Sequence, residues 1–188
     1  MAEPKIRAFL AIRLDDILIK ELGDFVEQIQ PKYPQFRFLP PDNWHLTLHF
    51  FGSISTHEID LLLKALPEIT ANIQPFSILL KGLGSFPGGR KSRILWIGAG
   101  EIDRLVQLKE QLDRTLLKIK FSAEMRPFHP HITIARSKIP VICQISNEEK
   151  NIQFEQKSRV EKITLFQSDL SSRGPRYTPL HDFYLSFS

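Results

Sequence analysis

A tetrapeptide that recurs at a fixed distance constrains this chain more than any other feature. His-Leu-Thr-Leu begins at His45 and His-Ile-Thr-Ile at His131, 86 residues apart. Arg-Ala-Phe-Leu-Ala-Ile begins at Arg7 and Arg-Ile-Leu-Trp-Ile-Gly at Arg93, again 86 residues apart. Both spans run apolar strand, helical pattern, loop, then a strand carrying His-φ-Thr-φ, where φ is apolar. Two matches at one offset, in the same order of elements, mark an internal duplication. Residues 1–188 are therefore expected to form a single domain of two similar lobes related by a pseudo-twofold.

The local patterns fill in that frame. Arg7 to Leu14 is a short apolar run and reads as a buried strand. Ile17, Leu22, Phe25, Val26 and Ile29 recur at helical spacing, and Pro31 stops the helix. Pro40-Pro41 punctuates a loop, and residues 44–50 alternate as a strand does. Thr56 to Ile69 reads as a helix with Thr56 as its cap, and Pro67 is expected to end it early or kink it. Residues 75–86 and 93–98 read as strands around the basic loop SFPGGRKSR. A strongly periodic helix follows at 103–120, then the strand HPHITIAR. Two further strands, 159–170 and 181–188, are joined by SSRGPRYTP, in which Ser172 to Pro175 reads as a turn. Many strands, few helices and hairpin-length connections predict an α+β fold: a bilobed duplication, two antiparallel sheets flanked by helices, with a central cleft.

Composition excludes several classes. Cys143 is the only cysteine, so an intrachain disulfide and cysteine-rich zinc sites are ruled out, and a reducing compartment fits. The apolar run near the start is broken by Arg13 and Asp15, too short for a signal-peptide core or a membrane span. The expectation is a soluble cytoplasmic monomer with no membrane partner. A net charge of +4 and no long Lys/Arg run favour an anionic partner only mildly and do not suggest duplex wrapping.

Residues two apart on a strand share a face, so His45 points with Thr47 and His131 with Thr133. Leu46, Leu48, Ile132 and Ile134 then point the other way, into a core. Lobes related by a pseudo-twofold would line one cleft with both His/Thr faces. Two imidazoles on opposite sides of a substrate suit in-line attack at phosphorus: one takes a proton from the nucleophile, the other delivers one to the departing oxygen. The threonine hydroxyls donate to non-bridging oxygens, and an arginine fork balances the charge. Arg136 is the candidate, although three residues beyond Thr133 it falls off that face unless the strand twists or bulges.

The pair HLTLHF and HPHITIAR resembles the 2H phosphoesterase superfamily, and within it the RNA 2′,3′-cyclic phosphodiesterase group, also called 2′-5′ RNA ligases. The resemblance extends through RAFLAI, FPGGRKSRILWIG and FQSDLSSRGPRYTPL, nearly the whole chain. It implies a bilobed α+β fold, no metal cofactor, and hydrolysis of 2′,3′-cyclic phosphates on RNA ends or nucleotides to 2′-phosphates. It implies His45 as proton donor and His131 as proton acceptor, with Thr47, Thr133 and Arg136 binding substrate.

Other readings stand beside this one. His49 and His129 share the predicted faces of His45 and His131, so a metal-dependent hydrolase would recruit all four imidazoles. Threonines rather than carboxylates accompany them, which argues against it. As residues of the first reading, His49 and His129 belong at the cleft edge, and His57 and His181 at the surface or in packing. Ligation of a 2′-OH to a cyclic phosphate is the same chemistry in reverse. A nucleotide-binding module without catalysis is the non-enzymatic alternative, opposed by two intact motifs. The loop SFPGGRKSR is equally a solvated hairpin tip or a set of RNA-backbone contacts from Arg90, Lys91 and Arg93. Trp44 and Trp96 are expected in the core.

Overall fold

The computed structural model describes residues 3–122, 127–171 and 174–186. Strand β1 (Lys5–Arg13) leads to helix α1 (Asp16–Ile29), a 3₁₀ turn (Gln30–Lys32), β2 (Arg37–Phe38) and a second 3₁₀ turn (Pro41–Asn43). There follow β3 (His45–Ser55), α2 (Thr56–Thr70), β4 (Phe76–Phe86), β5 (Lys91–Gly100) and α3 (Asp103–Lys118). The chain closes with β6 (His131–Ile142), α4 (Asn147–Lys150), β7 (Gln153–Val160), β8 (Lys162–Ser171) and β9 (Gly174–Tyr184).

The fold is α+β and its strand pairs are antiparallel, as expected. The strands lie in the order β7-β4-β5-β6-β3-β1-β8-β9, with β2 added to β6. The two expected sheets are thus two four-strand halves, joined where Leu46 of β3 pairs with Ile132 of β6. The halves do not coincide with the sequence repeats. Strand β4 comes after β3 in the chain but lies beside β5, and β8, which comes after β6 and β7, lies beside β1. Each half takes strands from the other repeat, β4 and β2 from the first and β8 and β9 from the second, so neither repeat forms a sheet half alone.

The repeat is also one residue looser than the sequence suggests. Ile12 pairs with Leu46, and Ile97 with Ile132. The His-x-Thr strands are 86 residues apart, but their partner strands are aligned at an offset of 85, so Arg7 is not the counterpart of Arg93.

Helix α1 buries Leu18, Leu22, Phe25, Val26 and Ile29, while Ile17 is exposed. It lies against β7, the edge strand of one half. Glu21 accepts hydrogen bonds from the backbone N–H groups of Glu155 and Gln156, which occupies donors that an edge strand would otherwise present. Helix α2 starts one residue earlier than the Thr56 cap implies. Ser55 accepts from the Glu58 N–H and Glu58 accepts from the Ser55 N–H, a reciprocal capping box. Pro67 neither ends this helix nor shortens it: the chain stays helical to Thr70, because Leu62, Leu66 and Ile69 form one continuous buried stripe. Leu46, Leu48, Ile132 and Ile134 are at most 1% exposed, on the core face as expected. Among the described residues no helix is long and apolar enough to cross a membrane.

Candidate active site

The antiparallel register through Leu46 and Ile132 sets the geometry. It places His45 across from Thr133 and Thr47 across from His131. Directly opposed side chains start about 4.5–5.5 Å apart at Cβ, and diagonal ones about 7–8 Å. The two histidines are the diagonal pair. Each imidazole faces the threonine of the other motif, on the side of the sheet away from Leu46 and Ile132.

Both strands carry the same bulge. Thr47 pairs with Ala11 and His49 with Leu10, leaving Leu48 as an extra residue. Thr133 pairs with Trp96 and Ala135 with Leu95, leaving Ile134 extra. One added residue inverts the in-out alternation beyond it. This corrects His49, which is 3% exposed and packs behind β3, with its Nδ1 3.9 Å from the Asp113 carboxylate of α3. It is not a cleft-edge residue. The same bulge returns Arg136 to the threonine face, where its charge acts on His45, His131 and Tyr177. At the matching position in β3 stands Phe50, which is 59% exposed. The cleft is therefore cationic beyond Thr133 and aromatic beyond Thr47.

Each histidine is oriented by the carbonyl two residues before it. His45 Nδ1 lies 2.8 Å from the Asn43 oxygen, and His131 Nδ1 lies 2.6 Å from the His129 oxygen. An Nδ1–H donor in both rings leaves both Nε2 atoms to exchange protons with a substrate. The Asn43 amide in turn donates to the Pro175 oxygen at 3.2 Å, tying the approach to His45 onto β9. The His45 ring is packed against Phe9 (4.8 Å between centroids) and edge-on to Tyr177 (5.1 Å). His131 contacts Phe86 (5.1 Å) and Trp96 (6.0 Å).

These walls act on the charge. Burial first, then the charges of Arg136 and His131, push His45 down to about 4, against the pull of the Asn43 carbonyl. Burial likewise lowers His131, with His129 and Arg136 adding to it. Both shifts favour the neutral ring. Among the described residues no group of three or more His, Cys, Asp or Glu side chains could hold a metal ion.

The structure brings His45, Thr47, His131, Thr133 and Arg136 to one face. Trp44 is in the core, as expected. Trp96 is not: it shares the face of Thr133 and is ringed by Phe86 and His129. His57 and His181 are exposed. The basic loop is a hairpin tip at residues 87–90, and Arg93 donates to the Lys138 oxygen. Gly174 and Pro175 open β9 rather than continuing a turn, while Ser172 and Arg173 lie outside the described residues. The sequence reading missed Phe9, Phe50 and Tyr177 as cleft walls. Alternation from His45 would have found Phe50 only with the bulge known.

The model of the 2′-5′ RNA ligase superfamily matches residues 19–171. A Methanothermobacter thermautotrophicus protein named RNA 2′,3′-cyclic phosphodiesterase is 30% identical over 185 residues, covering 96% of this chain and 100% of that protein. The crystal structure of TT0787 of Thermus thermophilus superposes with a TM-score of 0.84 at 27% identity, covering 96% of this chain and 98% of that one. That of E. coli LigT complexed with 3′-AMP gives 0.79 at 27% identity, covering 97% and 99%. With the match spanning most of its length, from α1 through both His-x-Thr strands to the end of β8, this chain belongs to the 2′-5′ RNA ligase superfamily.

Proposed function

We propose that this protein hydrolyses 2′,3′-cyclic phosphates on RNA ends or nucleotides to 2′-phosphates, without a metal, using His45 and His131 as an acid–base pair. The observation that carries the reading is the register through Leu46 and Ile132, which sets each imidazole opposite the other motif's threonine on one cleft face. The names of the relatives point to the same substrate, and LigT has been crystallised with a ribonucleotide carrying a 3′-phosphate.

The chemistry follows from the donors present. Thr47, Thr133 and the Arg136 fork bind the non-bridging oxygens of the cyclic diester. Nε2 of neutral His131 takes a proton from water as its oxygen attacks phosphorus. The P–O3′ bond breaks on the opposite side, and Nε2–H of protonated His45 supplies the proton to O3′. The product is a 2′-phosphomonoester with a free 3′-OH. A histidine whose pKa lies near 4 is a strong acid once protonated. The bound phosphate anion opposes its depression and loads it. The donor role for His45 and the acceptor role for His131 are those the family resemblance implies.

Purified protein is to be assayed with a 2′,3′-cyclic mononucleotide and a short RNA ending in a cyclic phosphate, with and without EDTA. Hydrolysis to the 2′-phosphate, insensitive to EDTA, is expected. Complete loss in EDTA with rescue by one divalent ion would replace this reading with the metal-dependent one. The family's name supports a second reading, 2′-5′ ligation, which runs the same two proton transfers backwards with a ribose hydroxyl in place of water. Water, at far higher concentration, makes hydrolysis the net direction.

A further inference from the structure

The pseudo-twofold is broken beside His131. In one half, Ala11 pairs with Thr47 and Arg13 with His45. In the other, the equivalent positions are Trp96, opposite Thr133, and Gly98, opposite His131. A small residue and a long cation are thus exchanged for an indole and an absent side chain. The indole passes over Gly84, where a Cβ would come within 2.1 Å of it. At Gly98 a Cβ would stand 2.9 Å from the Lys81 carbonyl oxygen. Both glycines are needed to lay the tryptophan on the sheet and keep the floor bare.

Beside it is a cavity of about 530 Å³, lined from β5, β4, β7 and residues 128–130, which adjoins His131 through Gly98, its partner in the register, and His129. That volume falls in the range of small-ligand sites. Trp96, Phe128 and His129 supply its aromatic wall, and Lys81 and Lys150 its charge, with Gln153 at the far edge. None of the described residues lining it is acidic. An aromatic wall faced by cations is how proteins hold single-stranded RNA: the rings stack a base and the cations meet the backbone. Arg136, which the mechanism uses, sits on the other side of the His/Thr quartet and cannot serve this end.

We infer that this cavity is a subsite for the 5′ side of the substrate: a nucleobase against Trp96 and His129, and the phosphodiester 5′ to the cyclic phosphate at Lys81 and Lys150. An RNA ending in a cyclic phosphate has chain only on its 5′ side, so this is the direction a second occupied site must read. The inference rests on the proposed phosphodiesterase reading and deepens it: an RNA end, rather than a lone nucleotide, is the substrate that fills the site.

Equilibrium binding of products tests it separately from turnover. Dissociation constants for a mononucleoside 2′-phosphate and for a dinucleotide ending in the same 2′-phosphate are to be measured by calorimetry. The dinucleotide should bind more tightly by roughly 5- to 150-fold, the range given by stacking a base on an aromatic ring. The double variant Lys81→Ala/Lys150→Ala replaces two exposed side chains, and the ratio of the two constants should shrink at least about five-fold, as expected for loss of backbone contacts. Equal constants in the unmodified protein, or an unchanged ratio in the variant, would overturn the subsite. Failure of the hydrolytic reading would appear instead as absence of cyclic-phosphate turnover in the assay above.

Discussion

Replacing His45 by asparagine should make the protein less sensitive to acid. The unmodified ring titrates near 6.5 when unfolded and near 4 when folded. Between those values the unfolded chain binds the proton and the folded one refuses it. Stability is therefore complete above the unfolded value and falls as pH drops from 6.5 towards 4. At about 1.4 kcal/mol per pKa unit, lowering the pH from about 7 to about 5 would cost about 2 kcal/mol for a fully enclosed ring. His45 keeps some solvent contact, so we expect about 1–2 kcal/mol. Asparagine keeps an amide donor near the Asn43 carbonyl and removes the titration. Urea unfolding at these two pH values, in both proteins, isolates the effect. Glu58, Glu149 and Asp182, whose carboxyls are all held below their usual range, contribute equally to both and cancel in the difference. Identical losses in the two proteins would show that His45 is not held neutral by its packing.

Arg136→Ala should leave the fold intact and lower kcat/KM for a cyclic phosphate by about 10²–10³-fold, the usual effect of losing one preorganised charge donor; unchanged turnover would move the phosphate clamp elsewhere. Ser55→Ala removes one half of the capping box of α2 and should cost about 1 kcal/mol in urea unfolding. A cost indistinguishable from zero would mean that the buried Leu62–Leu66–Ile69 stripe alone holds the helix start.

The paired motif was legible because it rests on two short-range rules, period-two alternation and repetition. What it implied for His45, Thr47, His131 and Thr133 needed no partner strand. Arg136 and His49 were legible only as neighbours of the motif. Their faces are set by bulges at Leu48 and Ile134, and a bulge is a register event that involves β1 and β5 as much as the strand itself. Trp96 was misread for a similar reason: its place depends on Gly84 in the adjacent strand, not on its own apolar surroundings. Strand β7 escaped notice because only Phe154, Ser158 and Val160 of its eight residues are buried. Strand β9 accommodates Pro175 and Pro179 because it is the sheet's last strand, where a missing N–H need not break a ladder on both sides. The exchange that puts β4 in one half and β8 with β9 in the other is a long-range choice that no local pattern records.

The claim that most needs testing is that two residues 86 positions apart form one acid–base unit, and a double-mutant cycle on kcat/KM tests it directly. His45→Ala and His131→Ala should each lower hydrolysis of a cyclic-phosphate RNA by about 10²–10⁴-fold, the usual contribution of a positioned acid or base. The double variant should lose much less than the product of the two, because groups that act together are not additive. An activated leaving group should rescue His45→Ala and not His131→Ala. Near-normal activity in either single variant, with its fold intact, would contradict the account.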